Sequence, residues 1–185
     1  MRVIAGEARR LPLVTPDGLD TRPTQDRIKE TLFNILQMET PGAVFLDLCA
    51  GSGGIGIEAL SRGARHCYFV ENGRDAVACI QQNLHKTHFE EKATLLKQDV
   101  LNAIRNIHEK EADLIYLDPP YESPAQKAAL LALAEASYVT ENTMIIVEAL
   151  LDTDFSYLEE TDLEIVREKR YKANEHVFIR RKTGQ

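Results

Sequence analysis

The chain has 185 residues, 44% of them hydrophobic and 28% charged, with a formal net charge of −7. That length predicts one domain with a substantial core. No stretch approaches the ~18 apolar residues of a membrane span, and the N-terminus lacks the apolar run of a secretory signal, so the expectation is a cytoplasmic protein.

Cys49, Cys67 and Cys79 are few, odd in number and in no C-x-x-C pair. This argues against a disulfide framework and structural zinc, and for small buried side chains in a reducing compartment. The net charge conceals an asymmetry. Residues 1–37 carry +1 and residues 163–185 carry +4, while residues 38–162 carry −12. Basic ends around an acidic middle admit polyanion contact at the ends, although solvated tails would look the same.

Residues 1–22 read as an extension before the main fold. Val3–Gly6 and Glu7–Leu13 suggest two short strands, broken afterwards by Pro16 and Asp17-Gly18. A helix then opens at Pro23-Thr24, with Ile28, Leu32, Ile35 and Leu36 on one face and Arg27, Thr31 and Asn34 beside it. From Val44 the pattern becomes regular. Strands at Val44–Cys49, Cys67–Glu71, Ala93–Lys97, Asp113–Leu117 and Met144–Glu148 are each followed by a helix or a partly helical link. The helices are Gly56–Arg62, Asp75–His85, Leu101–His108 and Ala125–Ala136. Such alternation predicts an α/β fold, a doubly wound, mostly parallel sheet with helices on both faces. Leu163–Lys169 and His176–Arg181, with 173–175 between them, predict a hairpin that adds an antiparallel edge, for seven strands in all. The domain is expected to span 23–185.

Ligands of such sheets bind beyond the C-terminal strand ends, near the switch in strand order. Asp47 with its glycine turn, Glu71, Asp99 and Asp118 all fall at those ends. Gly51 to Gly56 fits G-x-G-x-x-G, and Glu71, 20 residues after Gly51, suits a ribose diol. Taken alone, this fits NAD as well as S-adenosylmethionine. Asp47, ahead of the turn, opposes a diphosphate and favours a cation. Asp118-Pro119-Pro120-Tyr121 follows the fourth strand. Its two prolines remove N–H donors, leaving carbonyls, a carboxylate and an aromatic ring, a set that accepts hydrogen bonds from a planar amine and stacks on it. The five histidines form no ligand set, and no metal is called for.

Asp47 to Gly56 and Asp118 to Tyr121 resemble the cofactor and amine motifs of class I S-adenosylmethionine-dependent amino-methyltransferases. Arg22-Pro23-Thr24, Arg27, Glu30, Leu32-Phe33-Asn34 and Gly56 to Ala64, with Val3–Gly6, are similar to the bacterial 16S ribosomal RNA guanine-N2 methyltransferase family over essentially the whole chain. The chain departs from that pattern at Cys49, where a larger aromatic is usual, and at Gly54-Ile55. The resemblance implies methyl transfer to the exocyclic N2 of a guanine in 16S rRNA, within a small-subunit assembly particle and without an obligate protein partner. It places Asp47, Gly51, Ser52, Gly53, Glu71, Asp99 and Asp118 at the cofactor. Asp99 is equally well explained as a helix N-cap. Asp118 and the Pro119 carbonyl accept the amine N–H groups while Tyr121 stacks on the base. Arg22, Thr24 and Arg27 close over substrate, and Arg9 and Arg10 touch phosphates. At the reference carboxyl pKa of ~3.9, Asp118 is too weak a base to deprotonate the amine beforehand. Three other readings stay open: an amino-methyltransferase for DNA adenine, other RNA or protein glutamine; a nicotinamide-dependent oxidoreductase; and a non-catalytic RNA-binding factor.

Overall fold

Helix α1 (Pro23–Ile35) leads into strand β1 (Val44–Leu48), and from there strands and helices alternate. In order they are α2 (Gly54–Ser61), β2 (His66–Val70), α3 (Arg74–Thr87), β3 (Ala93–Leu96), α4 (Val100–Asn106), β4 (Leu114–Leu117), α5 (Ala125–Ala134) and β5 (Met144–Leu150). Strands β6 (Leu163–Arg170) and β7 (Asn174–Arg181) end the series. The structure, a computed structural model, describes residues 1–17, 23–121 and 123–184, and for Pro23 and Thr24 the backbone only. Arg22 therefore lies outside the described residues, as does the side chain of Thr24.

The seven strands form one sheet in the order β3-β2-β1-β4-β5-β7-β6. The first five are parallel, and β7 enters antiparallel between β5 and β6. The order reverses between β1 and β4, where Leu48 pairs with Leu117. The residues after these two strands, Cys49 and Asp118, are thereby brought to one spot at the switch point.

Strand β1 is buried along its whole length, as a central parallel strand covered on both faces must be. Val44, Leu46 and Leu48 face a core completed by Ile104, Leu130 and Leu133 of α4 and α5. Phe45 faces the opposite core, with Leu32 and Phe33 of α1, Ile57 and Leu60 of α2, and Ile80 of α3. Each such fully buried side chain contributes roughly 1.5–3 kcal/mol. Asp47 lies on the α1–α2 side of β1 and becomes a buried acid in an apolar layer.

Residues 1–17 fold back on themselves through a single antiparallel bridge, Arg2 to Pro12, where the sequence suggested two strands. The segment binds to α2 instead of extending the sheet. Ile4 and Ala5 donate their N–H groups to the Glu58 carboxylate at 2.9 and 3.1 Å, and Ala8 N–H donates to Ser61 Oγ at 2.9 Å. A Cβ on Gly6 would lie 1.9 Å from the Ser61 carbonyl oxygen, so only glycine allows this approach. The C-terminal turn sits earlier than the sequence indicated. Asn174 and Glu175 already pair with Leu150 and Ala149 of β5, leaving 171–173 to make the turn.

Candidate active site

At the switch point the chain leaves β1 with Cys49 at φ 62, makes a tight turn and enters α2 two residues earlier than glycine spacing suggested. Gly53, the residue before the helix, has φ 83, a left-handed conformation natural to glycine and strained for other residues. Three hydrogen bonds hold this turn. Gly53 N–H donates to the Ala50 carbonyl at 2.8 Å, and Ala50 N–H to the Val70 carbonyl at 2.9 Å. Gly51 N–H donates to Glu71 Oε2 at 2.8 Å.

Two of the strand-end acids thus support the turn from behind. Asp47 is 1% exposed, and its Oδ2 accepts the Gly56 N–H in the first turn of α2 at 2.9 Å. Burial raises its carboxyl well above the usual range, with the Gly56 hydrogen bond working the other way. Glu71 holds Gly51 with one oxygen and the N–H groups of Asn72 and Gly73 with the other. Asp99 stands apart as the N-cap of α4, exposed, with both oxygens engaged by Asn102.

A cavity of about 260 Å³ opens over the turn. Ser52 and Gly54 form its floor, the carboxyl groups of Asp26, Asp118 and Glu148 its acidic rim, and the Met1 side chain part of its wall. The Met1 sulfur lies where a Cβ on Gly54 would approach to 2.2 Å. Lys29 is the one basic side chain among the described lining residues, and it is already paired. It is buried on α1, 3.5 Å from Glu58 Oε2, and donates to the Arg2 carbonyl at 2.6 Å.

Asp118 differs from the carboxyl of ordinary pKa that the sequence reading assumed. Burial, then the nearby negative charge of Glu148, raises it above the usual range. It therefore holds its proton more readily and is a stronger base when ionised. Pro119 beside it is buried, whereas the Tyr121 ring is 48% exposed. The Tyr121 hydroxyl donates to Glu148 Oε1 at 3.0 Å. On its far side, Tyr121 and Pro120 line a second hollow of about 450 Å³.

Arg27 and the adjacent pair Arg9 and Arg10 line one groove of about 470 Å³ together with Arg2. Asp26 borders both this groove and the cavity, so the basic surface runs up to the acidic site. The structure thus gathers Ser52, Asp118 and the glycine turn around one cavity, with Tyr121 joined to its rim through Glu148 and the three arginines on the adjoining surface. It places Asp47 and Glu71 beneath or beside the turn and Asp99 away from the cavity lining.

Glu148 and His176 were missed. Glu148 ends the predicted fifth strand, so the rule that singled out the other strand-end acids also covers it. His176 becomes its neighbour only through the antiparallel register of β5 and β7, which the sequence does not display.

Residues 1–180 match a family described as Conserved hypothetical protein 95. Over 175 residues the chain is 37% identical to a Bacillus subtilis protein named "Putative rRNA methyltransferase YlbH", covering 92% of this chain and 94% of the relative. It is 35% identical over 156 residues to "Ribosomal RNA small subunit methyltransferase D" of Haemophilus influenzae, covering 82% and 80%. A solved structure, "Putative methyltransferase yhhF from Escherichia coli", superposes with a TM-score of 0.84 at 26% identity, covering 100% of this chain and 99% of that one.

Proposed function

Since this chain belongs to the Conserved hypothetical protein 95 family, that of the small-subunit ribosomal RNA methyltransferase D proteins, we propose that it transfers a methyl group from S-adenosylmethionine to the exocyclic N2 of a guanine in small-subunit rRNA. The observation that carries this reading is the position of Asp118. It follows the strand at the switch point, lines an acid-rimmed cavity floored by the glycine turn, and is followed by Pro119-Pro120-Tyr121.

The donor set fits S-adenosylmethionine better than a dinucleotide. The N–H groups of Gly51 and Gly53 are spent on Glu71 and Ala50, so this turn lacks two of the donors a pyrophosphate would use. The acidic rim suits a cationic ligand. Ser52 and Asp118, which line the cavity, would hold it together with the glycine backbone, and Glu71 is assigned to its ribose by resemblance alone. When bound, the cofactor supplies an electrophilic methyl group on a positively charged sulfur.

The residues do the rest by positioning. An exocyclic amine conjugated to a purine ring is a poor nucleophile, and accepting its two N–H bonds localises the nitrogen lone pair. The ionised Asp118 carboxylate and the Pro119 carbonyl are the acceptors. Asp118, raised by burial, is also a competent acceptor for the proton the nitrogen sheds once methylated. The half-exposed Tyr121 ring offers a stacking face for a base turned out of its helix. Arg9, Arg10 and Arg27 serve the phosphates; Arg22 and Thr24 are assigned to the same face by resemblance alone. Holding amine and methyl carbon in line contributes much of the rate.

Tritium transfer from labelled S-adenosylmethionine to small-subunit particles from cells lacking this protein tests the reading, with nucleoside analysis of the product. Label in N2-methylguanosine is expected. Label in N6-methyladenosine would overturn the substrate while keeping the amine chemistry. Absence of label in any RNA, with S-adenosylhomocysteine bound, would overturn rRNA methylation itself.

A further inference from the structure

The strand ends beside Asp118 carry a polar cluster that the chemistry above does not use. Glu148 of β5 accepts the Tyr116 hydroxyl on Oε2 at 2.6 Å. On Oε1 it accepts the Tyr121 hydroxyl at 3.0 Å and the Asn174 side-chain amide at 2.8 Å. His176, directly across from it on β7 and fully buried, places Nε2 3.7 Å from Oε2 and 3.3 Å from the Tyr116 hydroxyl. Its Nδ1 lies 3.1 Å from the Tyr171 hydroxyl. No Lys or Arg among the described residues pairs with Glu148. Four side chains from three segments converge on one carboxylate at the rim of the cavity, and one of them is the otherwise half-exposed Tyr121.

Building on the methyl transfer proposed above, we propose that Glu148 is its positioning residue: it fixes Tyr121 through the ring hydroxyl and presents a standing negative charge to Asp118, while Tyr116, Asn174 and His176 hold it in place. A side chain fixed by packed donors keeps the group it touches within the narrow geometry that transfer requires. Burial acts on Glu148 against ionisation, but the neighbouring His176 imidazole and hydrogen bonds from Tyr116 and Tyr121 outweigh it and hold the carboxylate below its usual range. Asp118 consequently takes up a proton first and Glu148 stays the anion. Asp47 and Cys49 from the β1 side, Tyr116 and Tyr121 from its own strand and loop, and Asp26 and Lys29 from α1 also face this region. Of these groups, Glu148 is the one whose charge adds to burial in raising Asp118.

The test uses the full chain with Glu148→Gln, Glu148→Asp and Tyr121→Phe, read by S-adenosylhomocysteine affinity and by kcat and kcat/KM against pH on small-subunit particles. Glu148→Gln should lower kcat by about 10–100-fold at saturating S-adenosylmethionine, a loss separate from any weakening of cofactor binding by removal of one rim acid. It should also move the acidic limb of kcat/KM to lower pH, because Asp118 loses its charged neighbour and ionises more easily. Glu148→Asp keeps the charge but withdraws it by one methylene, so kcat should fall with the limb unmoved. Tyr121→Phe should do the same. A wild-type kcat in Glu148→Gln, or a fall in kcat without movement of the limb, overturns the proposal. So does a Glu148→Asp enzyme as fast as wild type, which decides the matter should the glutamine variant fail to fold. Wild-type protein that methylates no RNA would overturn the underlying function as well, and that result is distinct from a loss confined to the variants.

Discussion

Glu58 and Glu148 are both carboxylates that gather several donors, and they do so in opposite surroundings. Glu58, fully buried on α2, meets two cations, Lys29 at 3.5 Å and Arg62 at 2.9 Å, and two backbone amides from the N-terminal segment. Its charge is matched by these partners, and it lines none of the cavities described above. Glu148 meets phenols, an amide and an imidazole, and it borders open space beside Asp118. A buried carboxylate closed off by lysine and arginine ties elements together, whereas one held chiefly by phenols and an amide beside a cavity leaves its field available to a neighbour. The first belongs to the framework and the second to the site.

The sharpest way to break this contrast is Glu58→Ala. It leaves Lys29 without its anionic partner and strips two amides of their acceptor, so a loss of about 3–5 kcal/mol is expected by urea unfolding. A loss below about 1 kcal/mol would show that the N-terminal segment is held by its apolar contacts alone. Gly56→Ala comes next. Its Cβ would fall 2.4 Å from the Phe69 ring and 2.7 Å from Cys67 Sγ, and such overpacking costs about 1–3 kcal/mol.

Asp118→Asn should act in the other direction, raising Tm by about 2–4 °C, the equivalent of about 1 kcal/mol in a chain of this size, while abolishing methyl transfer. Folding raises the Asp118 carboxyl. Between its unfolded and folded pKa values the native state therefore holds a proton the unfolded chain has lost. Stability falls as pH rises through that window and returns on acidification. The amide variant removes this dependence, so its advantage should shrink at low pH; a gain that is constant with pH would contradict the assignment. The smallest effect is expected for Asp99→Ala, about 0.5–1 kcal/mol from loss of an exposed N-cap. If S-adenosylhomocysteine affinity also falls by about 10-fold, about 1.4 kcal/mol, Asp99 serves the cofactor in addition to the helix.

Periodicity carried most of the architecture into the sequence. The alternation from Val44 to Glu148 marks the parallel strands, and the paired basic segments near the end mark the hairpin. The glycine turn and Asp118 to Tyr121 were legible as a site because residue type and strand-end position coincide there. Depth was not legible. Nothing in the local sequence distinguishes Asp47, which is buried and tied to Gly56, from an acid facing a ligand. Lys29 looks like any polar residue of an amphipathic helix until α1 packs on Glu58. The raised carboxyl of Asp118 depends on burial and on Glu148, 30 residues away in the chain, and His176 reaches that glutamate only through cross-strand pairing.

The insertion of β7 between β5 and β6 has a consequence in time. The glycine turn needs β1, β2 and α2, whereas Glu148 acquires Asn174 and His176 only when β7 pairs with β5. Pairings between distant segments wait on loop closure. In a refolding experiment, therefore, the ability to retain cofactor should return before the ability to turn over, and the interval between the two would record the arrival of one strand.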